Sequence, residues 1–164
     1  MSIYAIYFSP TGGTEKIVKF IAEQFGNYQG INLCERTTDL TNNFSKEDLC
    51  IIGVPSFGGR IPAIALEKIK EFNGTMTNAI LVVVYGNRAY EDTLIELEDT
   101  LVEKDFTCLA AIAAVAEHSI MHQFANGRPD QKDLTGLSSF AEKIKEQMKE
   151  TVKENGLPVQ VPGN

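Results

Sequence analysis

The sequence predicts an α/β domain: a five-stranded parallel sheet, ordered 2-1-3-4-5, between two layers of helices. Three observations lead there. Runs 3–8, 49–54 and 80–85 are apolar from end to end, as strands covered on both faces are. Between and after them lie segments with apolar residues three and four apart, the helical spacing. Each apolar run also ends in a turn carrying glycine, and right-handed crossovers bring all strand ends of one sense to one edge.

Taken in order, residues 3–8 form the first strand. The first helix runs over 13–25, with Ile17, Phe20, Ile21 and Phe25 inward, and Gly26-Asn27 end it. Residues 31–35 are a short, partly alternating strand, and 37–48 are polar and turn-rich, a loop. The β-branched run 49–54 is the third strand. Pro62 suits the first turn of the next helix, where Ile64, Leu66, Ile69 and Phe72 are the apolar positions. The fourth strand is 80–85, and a third helix over 90–104 turns Leu94, Leu97, Leu101 and Val102 inward. Residues 106–115 are alanine-rich, but their place after a helix makes them the fifth strand. Residues 116–130 are irregular. The last helix spans 132–154, with a stripe of Leu134, Leu137, Phe140, Ile144, Met148 and Val152. Residues 1–154 therefore read as one domain. Residues 155–164, spaced by prolines, read as an extended C-terminal linker or tail.

At 164 residues the chain has room for a sizeable core. Its net charge of −7 argues against nucleic-acid binding and against an anionic membrane surface, and is compatible with a basic protein partner. No apolar run approaches the ~20 residues of a membrane span. No basic region precedes the first apolar run, which argues against a secretory signal. Cys34, Cys50 and Cys108 are widely spaced in apolar surroundings, so each is expected to be a small buried hydrophobe in a reducing, cytoplasmic compartment.

The chemistry concentrates at the strand ends. Ser9-Pro10-Thr11-Gly12-Gly13-Thr14 joins a strand to a helix N-terminus, where unpaired N–H groups and the positive end of the helix dipole favour an anion. Gly12 and Gly13 let the backbone wrap close, and Ser9, Thr11 and Thr14 add hydroxyls. The turn lacks the lysine of a Walker-type loop and the three-glycine spacing of a dinucleotide turn, so it suits a phosphate held by neutral donors. An ordinary capped turn has the same local pattern. The second turn is Pro55-Ser56-Phe57-Gly58-Gly59-Arg60 and the third Tyr85-Gly86-Asn87-Arg88-Ala89-Tyr90. Converging at one edge, the three suit a flat aromatic ring with a monophosphate tail, such as flavin mononucleotide (FMN). Phe57 or Tyr90 could stack on the ring, Gly58 could offer its peptide group, and Asn87 could bond the polar ring edge. Arg60 and Arg88 either face reduced flavin or pair with nearby acids. His118 follows the fifth strand and falls near the same edge, as flavin contact or structural residue; His122 is a weaker candidate. No catalytic triad or metal-ligand arrangement stands out beside these loops.

These motifs resemble those of flavodoxins. Residues 8–14 look like the flavodoxin phosphate turn, and 53–60 and 85–90 like its two ring loops. The fuller resemblance is to the N-terminal half of flavodoxin–ferredoxin fusion proteins, through Tyr85-Gly86-Asn87-Arg88, Glu117-His118-Ser119 and Gly127-Arg128-Pro129-Asp130, and it reaches to about residue 154. The resemblance implies a short-chain flavodoxin-like fold and non-covalent FMN passing electrons to a redox partner. It also implies an iron–sulfur domain beyond the linker. This chain departs in carrying no cluster cysteines, so it is expected to be either a domain of a longer protein or a stand-alone relative. It also has no tryptophan, so the usual Trp-and-Tyr sandwich cannot be copied. Two other functions fit the same fold class: an FMN-dependent reductase of quinones or small acceptors driven by NADH or NADPH, and a phosphoacceptor module of the receiver type. The second needs an acidic cluster at the carboxyl edge, and the first strand ends in Ser9-Pro10 with no paired aspartates.

Overall fold

A computed structural model describes residues 2–10, 12–35, 43–57, 60–85, 92–115 and 131–154. In chain order the elements are β1 (Ile3–Tyr7), α1 (Gly13–Glu23), β2 (Gln29–Asn32), β3 (Leu49–Pro55), α2 (Ala63–Ile69), β4 (Thr77–Tyr85), α3 (Thr93–Glu103), β5 (Phe106–Val115) and α4 (Gln131–Glu154). The five strands form one sheet in the order β2-β1-β3-β4-β5, every neighbouring pair parallel, as the alternation of elements predicts.

Strand side chains alternate between the two faces, so each strand feeds two cores. Ile6, Cys50, Ile52, Leu81 and Val83 face one side, where Ala65, Ile69 and Phe72 join Leu94, Leu97 and Leu101 of α3. Ala5, Ile51, Ile80, Val82 and Ile112 face the other, against Ile17, Val18 and Ile21 of α1 and Leu137 and Ile144 of α4. The sheet is therefore the middle of three layers, and every residue of β3 is buried. No helix among the described residues is long and apolar enough to cross a membrane.

Several local expectations are corrected. The second strand is Gln29–Asn32 rather than 31–35. Asn32 ends it, because its side-chain Oδ1 accepts the Cys34 N–H at 2.9 Å and turns the chain. Cys34 is consequently exposed, unlike the buried Cys50 and Cys108. Burial pushes the Cys108 thiol up to about 12 and raises that of Cys50 still further. Pro62 stands just before α2, as its cap, rather than within its first turn. Ile64, Val102 and Phe140 are exposed. Each lies next to a buried residue: Ala65, Ala141 and Leu101, the last of these inward as expected. The polar stretch 37–48, read as loop, supplies one core residue. Phe44 stands at 5.1 Å from Tyr4, 5.4 Å from Phe72 and 5.8 Å from Phe106 by ring centroid, closing the core below the sheet.

The contact that seats α1 is made at Gly53, in the middle of β3. A Cβ there would lie 2.2 Å from Val18 Cγ2 and 3.3 Å from Thr14 Cγ2. The helix thus rests directly on bare strand backbone. Valine has little rotamer freedom in a helix, so Val18 cannot swing aside. Gly53→Ala is expected to destabilise the fold by about 1–3 kcal/mol through overpacking. Val18→Ala in the same chain should recover part of that loss, because it empties the space the new methyl needs. Urea unfolding of the two single variants and the double variant checks this, and strict additivity would contradict the contact.

Candidate functional site

The sheet register brings the strand ends together. Tyr7 pairs with Gly53, Pro55 with Val84, and Tyr85 with Val115, so β1, β3, β4 and β5 all finish at one edge. Between β1 and β3 the strand order reverses, which opens a crevice there.

The first turn sits over that crevice. After β1, the Phe8 N–H still bonds the Gly53 carbonyl at 3.1 Å, holding the chain beside β3. The chain then leaves the sheet through Ser9 and the exposed Pro10. Gly12 is the cap of α1 and has φ 93°, a left-handed conformation that costs other L-residues roughly 1–2 kcal/mol. A Cβ built on it would meet no atom of the described residues within 4 Å. The Gly12 carbonyl accepts the Lys16 N–H at 3.0 Å, the first bond of the helix. Ser9 Oγ accepts the Glu15 N–H at 3.0 Å. That bond fixes the Ser9 side chain and leaves its O–H proton free to donate outward. The N–H groups of Gly13 and Thr14, in the first helical turn, have no acceptor within the helix. Thr14 is buried, with its methyl against Gly53, so its backbone is placed by the sheet. The acid of this turn, Glu15, lies 3.7 Å from Lys19, which offsets its charge. Thr11 lies outside the described residues.

The second turn is held at both ends by α3. Ser56 N–H bonds the Val84 carbonyl at 3.0 Å, and Ser56 Oγ lies 2.7 Å from Thr93 Oγ1, a fully buried hydroxyl. Phe57 and Arg60 exchange both backbone bonds, at 2.9 and 3.1 Å, pairing the two limbs of this turn. Arg60 then forks onto Glu96: its Nε donates to Glu96 Oε2 at 3.1 Å and a terminal nitrogen donates to the same oxygen. Glu96 Oε1 accepts the Ile61 N–H at 2.9 Å. The Arg60 bonds, helped by the Ile61 amide, hold the Glu96 carboxyl below its ordinary 4.5 against the opposing effect of partial burial. Arg60 is therefore committed to an acid of α3, the second of the two roles its sequence position allows. Gly58 and Gly59 lie outside the described residues.

From the third turn Tyr85 is described; it ends β4, half-buried at the same edge. Gly86, Asn87, Arg88, Tyr90 and His118 lie outside the described residues. Of the sequence-predicted site residues, Ser9, Pro10, Gly12, Gly13, Thr14, Pro55, Ser56, Phe57 and Tyr85 are brought to one edge.

Among the solved structures this chain resembles, three illustrate the shared fold. A flavodoxin from Fusobacterium nucleatum bound to flavin mononucleotide is 17% identical, over 89% of this chain and 98% of its own, with a TM-score of 0.58. An archaeal flavodoxin is 16% identical over 91% of this chain and 99% of its own, with a TM-score of 0.56. The rubredoxin oxygen:oxidoreductase of the anaerobe Desulfovibrio gigas is 16% identical, with a TM-score of 0.63. The match takes in 92% of this chain but 37% of that much longer enzyme. The chain has the flavodoxin-like fold. No family model and no curated protein matches the sequence. At these identities the shared property is the fold, whose crevice at the order reversal is where the turns described above meet.

Sequence reasoning missed Gly53, Thr93 and Glu96. A glycine inside an apolar strand is a signal of close backbone approach and marks Gly53. Thr93 and Glu96 carry no local sign, because their partners are 37 and 35–36 residues away.

The Glu96 clamp makes a pH-dependent contribution. The folded-state carboxyl titrates below the unfolded one, so the stabilisation is complete above 4.5 and is lost as pH falls through the folded value. Glu96→Gln is expected to lower the urea midpoint at pH 7. The gap between variant and wild type should close on acidification below 4.5, and a gap unchanged at pH 3 would contradict the ion pair.

Proposed function

We propose that residues 1–154 form an FMN-binding electron-transfer domain, with 155–164 as a C-terminal linker or tail. The observation that carries the reading is the first turn. A left-handed glycine caps a helix, with no described residue within 4 Å of a Cβ built on it, and a hydroxyl held by the Glu15 amide stands beside it. This is a cradle of neutral donors for a phosphate, set at the order reversal of a parallel sheet. The residues fit the group: the Gly13 and Thr14 amides and the Ser9 hydroxyl supply donors, with Pro10, Thr11 and Gly12 shaping the turn.

The ring half of the ligand falls to Pro55, Ser56, Phe57, Gly58 and Gly59, and to Tyr85, Gly86, Asn87, Arg88 and Tyr90, with His118 nearby. With no tryptophan in the chain, stacking is left to Phe57 and the tyrosines. When bound, flavin supplies one- and two-electron redox chemistry. The protein's part is to bind the phosphate tail, hold the ring loops at the sheet edge and present the ring to a partner. That partner is a redox protein or an iron–sulfur domain of the same polypeptide. The net charge of −7 favours a basic docking face. Free thiols at Cys34, Cys50 and Cys108 agree with a reducing, cytoplasmic setting.

Protein incubated with FMN and desalted should be yellow and release one equivalent of FMN on denaturation. Ser9→Ala removes a phosphate donor and a helix-capping acceptor, and should weaken FMN about tenfold while costing roughly 1 kcal/mol of stability. Protein that stays colourless at saturating FMN would overturn the proposal. Stopped-flow mixing of the loaded protein with NADH or NADPH separates carrier from reductase: slow flavin reduction by both is expected of the carrier.

A further inference from the structure

We infer that Glu96, one helical turn beyond Thr93 on α3, is a positioning residue for the ligand's ring loop. α3 contributes none of the turn motifs, yet it holds the second turn on both flanks. On the near flank, Ser56 Oγ meets the buried Thr93 Oγ1 at 2.7 Å. On the far flank, one carboxylate takes both the Arg60 side chain and the Ile61 backbone N–H. The Phe57–Arg60 backbone pair lies between these two ties. Glu96 has a side-chain exposure of 15% and Arg60 of 67%, so the carboxylate is the anchored member and the arginine the outer one. A turn left to itself would sample several backbone states; two ties 35 to 37 residues away in sequence select one. Glu96 meets this turn at the Arg60 side chain and the Ile61 N–H, so its effect on a ligand runs through the backbone those contacts fix. The inference rests on the flavin reading for the identity of the ligand, while the tie itself does not.

Charge and position can be separated because Glu96→Gln and Arg60→Gln break the same tie and change net charge in opposite senses. A pure charge effect on an anionic ligand would make Glu96→Gln bind FMN tighter and Arg60→Gln weaker. Positioning makes both bind it more weakly, by about threefold to tenfold for one lost charge-assisted bond. The same factor is expected with riboflavin, which lacks the phosphate, because the loop faces the ring. In flavin-free protein, the Arg60 and Ile61 amides should exchange hydrogen roughly tenfold faster in both variants, with global stability high enough to keep the core protected. Arg60 is exposed, so Arg60→Gln keeps the test open if the other variant folds poorly. Tighter or unchanged FMN binding by Glu96→Gln, a loss confined to FMN and absent with riboflavin, or unchanged amide exchange would each overturn the inference. Wild-type protein that binds neither FMN nor riboflavin would overturn the flavin reading instead, and the exchange measurement would still decide whether the tie orders the turn.

Discussion

The close approach of α1 to β3 at Gly53 is the constraint on which the candidate site depends. Thr14 and Val18 occupy the space a side chain would fill, and both are buried. The helix is thereby set against the middle of the sheet at a distance no larger residue allows. Its first turn, four residues before Val18, then stands over the crevice between β1 and β3. The Phe8 N–H bond to the Gly53 carbonyl ties the preceding strand to the same residue. One glycine thus places both limbs of the turn that Gly12 closes, and the N–H and hydroxyl groups of that turn inherit their geometry from core packing.

The edge built in this way treats charge economically. Its first turn offers amides and a hydroxyl, and Lys19 stands against Glu15 nearby. Its second turn carries Arg60, which Glu96 engages. Neutral dipoles aimed at an anion need no counter-charge brought close.

Much of the architecture was legible because it follows from local periodicity. The length and β-branched content of the apolar runs at 49–54 and 80–85 favoured strands buried on both faces, and the strand order followed from alternation. The errors are equally instructive. Val102 and Ile64 are apolar and sit beside inward positions, but a helix of 3.6 residues per turn rotates them out of the interface by a fraction of a turn. Asn32 ended β2 through a bond made by its own side chain, which carried Cys34 out of the core. Phe44 entered the core from a stretch whose neighbours are polar, because three aromatic rings from other elements leave a space for it.

The sequence by itself determined the order of strands and helices, the three glycine-bearing turns and their common edge. Those depend on side-chain period and turn chemistry within a few residues. Only the tertiary structure decided what each turn rests on. The seat of α1 on Gly53, the Ser56–Thr93 pair and the Glu96 hold on Arg60 and Ile61 join residues 35 to 39 positions apart. Such contacts arise when packed layers fix helix depth and rotation against the sheet, and no local pattern encodes that depth.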